Sequence, residues 1–119
     1  MRIALYGIPN CDTVKKARAV FDERGVVCEF VDFKKQGVLV GKLDAWMAAV
    51  GWERLLNRQG STWRALDDSV KASVVDAASA AAVMGANPSC IKRPVVEWGA
   101  GAVTVGFSEQ QFLELLLPP

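Results

Sequence analysis

The order of elements in the first 33 residues constrains the fold most strongly. Ile3 to Tyr6 is a short apolar run, and Gly7-Ile8-Pro9-Asn10 is a turn-forming stretch. Val14, Ala17, Val20 and Phe21 then recur on one face of a helix, with Lys15, Lys16, Arg18 and Asp22 mostly elsewhere. Gly25 is placed to end that helix. Val26 to Phe33 is rich in β-branched and aromatic residues and reads as a second strand. Strand, helix and strand in such tight succession predict a βαβ unit with a parallel pair.

The middle of the chain reads helical. Leu39, Leu43, Trp46, Met47 and Val50 recur at helix spacing, and Gly51 stops the run. Trp52 to Leu56 reads as a short helical turn. Ser61-Thr62-Trp63 starts another short element ending near Asp67. Val74 to Met84 is dominated by alanine, has strong helix propensity, and is ended by Asn87-Pro88. Val95 to Trp98 and Val103 to Phe107 read as strands joined through Gly99-Ala100-Gly101-Ala102. Ser108 caps a last helix, with Gln111 placed for a capping box. Phe112, Leu115 and Leu116 form its inner face, and Pro118-Pro119 ends it. The expected architecture is α/β: βαβ, a helical insertion at about residues 38–87 between the second and third strands, then ββα. The outer pieces resemble a thioredoxin-like fold, and 119 residues fit a single domain, 1–119.

Histidine is absent from the chain. That excludes His-containing zinc, non-haem iron and blue-copper sites, and also Ser-His-Asp and Cys-His machinery. Chemistry must run on Cys, Lys, Arg, carboxylates, hydroxyls and backbone N–H groups. Cys11, Cys28 and Cys90 are odd in number and contain no CxxC pair. This argues against a disulfide framework and against a four-thiolate metal site. Neither a metal nor a bound cofactor is expected. The net charge of +1 gives no basic field, so nucleic acid is not an implied partner. The apolar stretches fall far short of a membrane span, and Met1 to Gly7 lacks the long apolar region of a signal peptide. A reduced, cytoplasmic setting is expected.

Cys11 is the candidate nucleophile. It sits at the predicted helix start, where first-turn N–H groups lack intrahelical partners and the helix dipole favours a thiolate. Thr13 and Lys15 add to this, while Asp12 works against it. A lowered pKa would make a nucleophilic thiol without any histidine; the alternative is a small buried residue at a helix end. Cys28, within a strand beside Phe30, reads as core. Cys90 precedes Ile91-Lys92-Arg93-Pro94 and is a candidate resolving thiol. Arg93, before Pro94, is the natural anion ligand, since its fork suits carboxylates and oxyanions. Pro94 is a candidate cis proline. Arg58, in a loop before Gly60, is a second anion ligand; the plain alternative for both arginines is a solvated side chain or a surface ion pair. Trp46, Trp52, Trp63 and Trp98 read as packing residues rather than base-stacking platforms.

Longer stretches carry a family resemblance. Gly7-Ile8-Pro9-Asn10-Cys11-Asp12-Thr13-Val14-Lys15-Lys16-Ala17 resembles the active-site stretch of the arsenate reductase and Spx family. Gly51 to Arg58, Gly60 to Trp63, Ile91 to Glu97 and Val105-Gly106-Phe107 resemble the rest of it, most closely in its YffB-like branch. The resemblance implies a thioredoxin-like fold with a helical insertion, Cys11 as nucleophile, and Arg93 before a cis Pro94 facing it. It implies a glutathione-dependent thiol reductase: glutathione as cosubstrate, a small-molecule or protein disulfide as substrate, and Asn10, Asp12, Thr13, Lys15, Arg58 and Arg93 around the reacting group. Two alternatives come with it. One is arsenate reduction through a Cys11–arsenic adduct. However, the family's histidine before the cysteine is absent, and so is its arginine in the segment Val105-Gly106-Phe107. The other is a noncatalytic regulator that binds RNA polymerase, as Spx proteins do. Their CxxC switch is not reproduced here, because Ile8 stands at the earlier cysteine position.

Overall fold

Burial alternates along the first strand, β1 (Ile3–Gly7): Ile3, Leu5 and Gly7 are buried while Ala4 and Tyr6 are partly covered. The computed structural model describes residues 2–38 and 40–117. After β1 comes α1 (Asp12–Glu23), whose buried residues are Val14, Ala17, Val20 and Phe21, the stripe read from the sequence. Gly25, at φ 65°, follows its end, in the left-handed region that glycine adopts without a Cβ penalty. β2 (Cys28–Asp32) runs parallel to β1, with Ile3 opposite Cys28.

A helical insertion separates β2 from the third strand. It contains α2 (Phe33–Gln36), α3 (Val40–Val50), α4 (Trp52–Leu55), α5 (Ser61–Arg64), α6 (Asp68–Ala72) and α7 (Ala77–Ala86), followed by a 3-10 turn at Pro88–Cys90. The chain then forms β3 (Val95–Gly99), β4 (Ala102–Val105) and α8 (Glu109–Leu116). The sheet order is β2-β1-β3-β4, and the two pairs after β2-β1 are antiparallel. This is a thioredoxin-like α/β fold with a helical insertion between the second and third strands.

Two compact units result. One is the βαβ and ββα pieces together; the other is Phe33–Lys92. In the first, α1 and α8 bury Val14, Ala17, Val20, Phe21 and Phe112 in one core with Ile3, Leu5, Val96 and Trp98. Its aromatics meet at angles: the Trp98 and Phe112 rings stand edge to face at 4.8 Å, and Phe107 and Phe112 at 5.0 Å. Such pairs add about 0.5–1.5 kcal/mol beyond area burial. The Trp98 indole N–H donates to Thr104 Oγ1 at 2.9 Å, so its buried polar atom is satisfied. In the second unit, α3 packs against α4 and α7. The segment after α4 is tied to the segment after α7: Asn57 N–H donates to the Cys90 carbonyl at 2.7 Å, and Lys92 N–H to the Leu55 carbonyl at 2.8 Å.

Several boundaries differ from the sequence expectation. β2 is shorter than Val26 to Phe33. Val27 is 90% exposed, and Phe33 opens a helical turn instead of ending a strand. On α8 the inner face is Phe112, Leu113 and Leu116, whereas Leu115 is exposed. Ser108 accepts from Gln111 N–H, which is one half of the anticipated box. A reciprocal capping box occurs elsewhere, between Asp76 and Ser79 at the start of α7. The stretch from Ser61 to Ala72 is two helical turns, the second beginning after Asp67, whose side chain makes no capping bond. The roles read for Leu39 and Pro118-Pro119 lie outside the described residues.

Candidate thiol site

Cys11 is the N-cap of α1. Its backbone is extended (φ −141°, ψ 125°), and its carbonyl accepts the first helical hydrogen bond from Lys15 N–H at 2.9 Å. An N-cap side chain points at the N–H of the second or third helical residue. Here the sulfur replaces the usual oxygen, and the third residue is Val14. The Cys11 side chain makes no cap hydrogen bond, but the nearby Val14 N–H favours the thiolate. Gly7 sets the approach of sheet and helix, since a Cβ there would lie 2.7 Å from Val14 Cγ2.

Two more groups converge on the sulfur. Thr13 Oγ1 lies 3.3 Å from Sγ, and the Arg93 side chain reaches Sγ as a hydrogen-bond donor and as a charge. Arg93 precedes Pro94 across a cis peptide bond, as the sequence suggested. Thr13 Oγ1 also donates to the Arg93 carbonyl at 3.2 Å, joining the segment before β3 to the first turn of α1. Burial is the largest single influence on the thiol and pushes its pKa up. Thr13, the Val14 N–H and Arg93 together outweigh it, so the pKa lies below the ordinary thiol value.

The remaining sequence candidates fall in different places. Lys15 Nζ sits 3.5 Å from Asn10 Oδ1, so its ammonium is engaged with the turn. Asp12 is exposed as the first residue of α1. Cys28 is half-buried, and its pKa is pushed up to about 11, chiefly by burial. Cys90 is 1% exposed within the second unit. Arg58 belongs to that unit too, its guanidinium 5.2 Å from the Trp52 ring and 5.8 Å from the Trp63 ring. Trp52 and Trp63 are therefore cation–π partners of an arginine, beyond the packing role read for them. The sequence pointed to first-turn N–H groups, and the one that favours the thiolate is that of Val14. The signal was present: once Cys11 is the cap, its acceptor faces the residue three positions on. Among the described residues no group of three or more His, Cys, Asp or Glu side chains is placed to hold a metal ion. No helix among them is long and apolar enough to cross a membrane.

The family model described as "ArsC family" matches residues 6–115, from the end of β1 to α8. The chain belongs to the ArsC family. This ArsC-family chain is 36% identical over 110 residues to an uncharacterized protein of Haemophilus influenzae, covering 92% of this chain and 95% of that one. Among solved structures it is similar to a YFFB protein, with TM-score 0.91, 44% identity, and coverage of 97% and 99%. A Brucella melitensis protein described as related to arsenate reductase (ArsC) is 46% identical, with TM-score 0.74 and coverage of 96% and 93%. The YffB-like character read from the sequence is thereby shown.

Proposed function

We propose that this ArsC-family chain is a single-thiol redox protein, and that it works as a glutathione-dependent thiol reductase. The observation behind this reading is the convergence of the Thr13 hydroxyl, the Val14 N–H and the Arg93 side chain on Cys11 Sγ. Ionised Cys11 attacks one sulfur of a disulfide; a new S–S bond forms and the other sulfur leaves as thiolate. A glutathione thiolate then attacks the mixed disulfide and returns Cys11 to its thiolate form. Arg93 holds a carboxylate of glutathione or of the substrate. Resolution falls to external thiol, because the Cys28 thiol is suppressed and Cys90 is buried.

The same lack of a second reactive thiol favours another reading: a noncatalytic regulator whose Cys11 is modified once, without turnover. The family match and the likeness to the YFFB protein serve this reading as well as or better than a reductase, because neither names a reaction. RNA polymerase is the partner this reading carries. One set of measurements separates them. Intact mass after exposure to oxidised glutathione reads adduct formation in wild type and C11S, and a coupled assay with a small disulfide reads turnover. A Cys11-dependent adduct with turnover supports the reductase. An adduct without turnover, together with capture of the polymerase α subunit, supports the regulator. Glutathione-dependent arsenite formation from arsenate, lost in C11S, would move the assignment to arsenate reduction. No adduct and an ordinary Cys11 pKa would remove the thiol reading altogether.

A further inference from the structure

Thr13 has one hydroxyl proton and two neighbours that can take it. Its Oγ1 stands 3.3 Å from Cys11 Sγ and 3.2 Å from the Arg93 carbonyl oxygen. The carbonyl is an acceptor only. While Cys11 is a thiol, one ordering satisfies all three atoms: S–H donates to Oγ1, and the hydroxyl donates to Arg93. A thiolate has no proton to give and accepts only. The ordering must then reverse, with the hydroxyl turned to sulfur and the Arg93 carbonyl left without it. A hydrogen bond to an ion is about twice as strong as a neutral one, so the thiolate wins the proton. Only the Cβ–Oγ1 torsion needs to turn, and Thr13 is exposed, so water can take over the carbonyl.

We propose that Thr13 is a positioning residue that couples ionisation of Cys11 to the hydrogen bonding of the Arg93 carbonyl. The other groups around the sulfur cannot do this. The Val14 N–H and the Arg93 guanidinium are donors only and have no ordering to reverse, Lys15 is engaged with Asn10, and Asp12 lies exposed beside the cap. A sulfur capped by a mixed disulfide has neither proton nor charge, so the hydroxyl returns to Arg93. The thiolate is thus the one state of Cys11 that releases this carbonyl. The proposal rests on Cys11 as the reacting thiol, but its test needs only the ionisation.

The test is a pH titration by NMR of 13C,15N-labelled protein, following Cys11 Cβ and the Arg93 carbonyl carbon. In wild type both should move with one midpoint. In T13V, Cys11 should still titrate, with a thiolate-to-thiol ratio lower by about tenfold, and the Arg93 inflection should be lost. T13S should restore it, and C11S should abolish it. A flat Arg93 carbonyl in wild type, or an inflection of equal size in T13V, overturns the proposal. A missing glutathione adduct with the coupled titration intact would instead count against the reductase reading alone.

Discussion

Replacing Gly7 with alanine tests how the sheet holds the thiol site. The new Cβ would meet Val14 Cγ2 at 2.7 Å and Cγ1 at 3.5 Å. Carbon atoms attract best at about 3.5–4.0 Å, so the first contact overlaps by nearly an ångström. Val14 cannot easily turn away: it is fully buried, and a β-branched side chain in a helix has one strongly preferred rotamer. Overpacking of this kind costs about 1–3 kcal/mol, offset by roughly 0.4–1 kcal/mol because alanine restricts the unfolded chain. The net loss of about 1–2 kcal/mol should lower Tm by roughly 5–10 °C in a chain of this size. Val14 also carries the N–H that faces the sulfur, so Cys11 alkylation at pH 7 should slow in the same variant. Val14→Ala supplies the control. Alone it should cost about 2 kcal/mol or more; combined with Gly7→Ala it should cost much less, because the clash is gone. Urea melts of the four proteins close the cycle. If G7A melts with wild type, or the two changes add within ~0.5 kcal/mol, the close approach does not control the site.

Thiol selectivity should be sharp. Limited iodoacetamide at pH 7 should modify Cys11 first, since Cys28 titrates at about 11 and Cys90 is buried; peptide mapping that finds Cys28 or Cys90 labelled ahead of Cys11 would contradict the geometry. The rate should follow an inflection below the ordinary thiol pKa, because the folded state favours the thiolate. The linked stability of Cys11 is present above the unfolded thiol pKa and lost as pH falls through the folded one. Cys28 has the opposite sign. Its folded pKa is raised, so its contribution is present below the unfolded thiol pKa and lost as pH rises through about 11; urea titrations above pH 8.5 should flatten in Cys28→Ala. Thr104→Val keeps shape but leaves the buried Trp98 N–H without its acceptor. It should cost about 1–3 kcal/mol in a denaturation curve.

Local patterns carried much of the fold and the position of the thiol. The buried stripe of α1 follows from its 3.6-residue spacing, and Cys11 was legible as a residue at a helix start. The misread elements are those where tertiary context decides. Val26 and Val27 look like strand residues, yet they follow the left-handed turn at Gly25, and pairing with β1 begins only at Cys28. On α8, Leu113 and Leu115 are equally apolar in the sequence. Packing in the core shared with α1 selects Leu113 and turns Leu115 outward. Partners distant in sequence were the least legible. The contact of Thr13 with the Arg93 carbonyl spans 80 residues, and nothing local announces that Arg58 meets both the Trp52 and the Trp63 rings.

The placement of the insertion bears on when the thiol becomes reactive during synthesis. Cys11, Thr13 and Val14 leave the ribosome early, but Arg93 follows only after the whole of Phe33–Lys92 has been made. Until then Cys11 lacks both the Arg93 charge and the carbonyl that orders Thr13. Closing so long a loop carries an entropic cost that only the finished sheet can offset, with β3 seated antiparallel against β1. In a nascent or truncated chain that ends before Arg93, Cys11 labelling should therefore be slower than in the finished fold. Activation of the thiol coincides with completion of the fold, so the rate at which Cys11 is labelled on a growing chain serves as a clock for that final strand pairing.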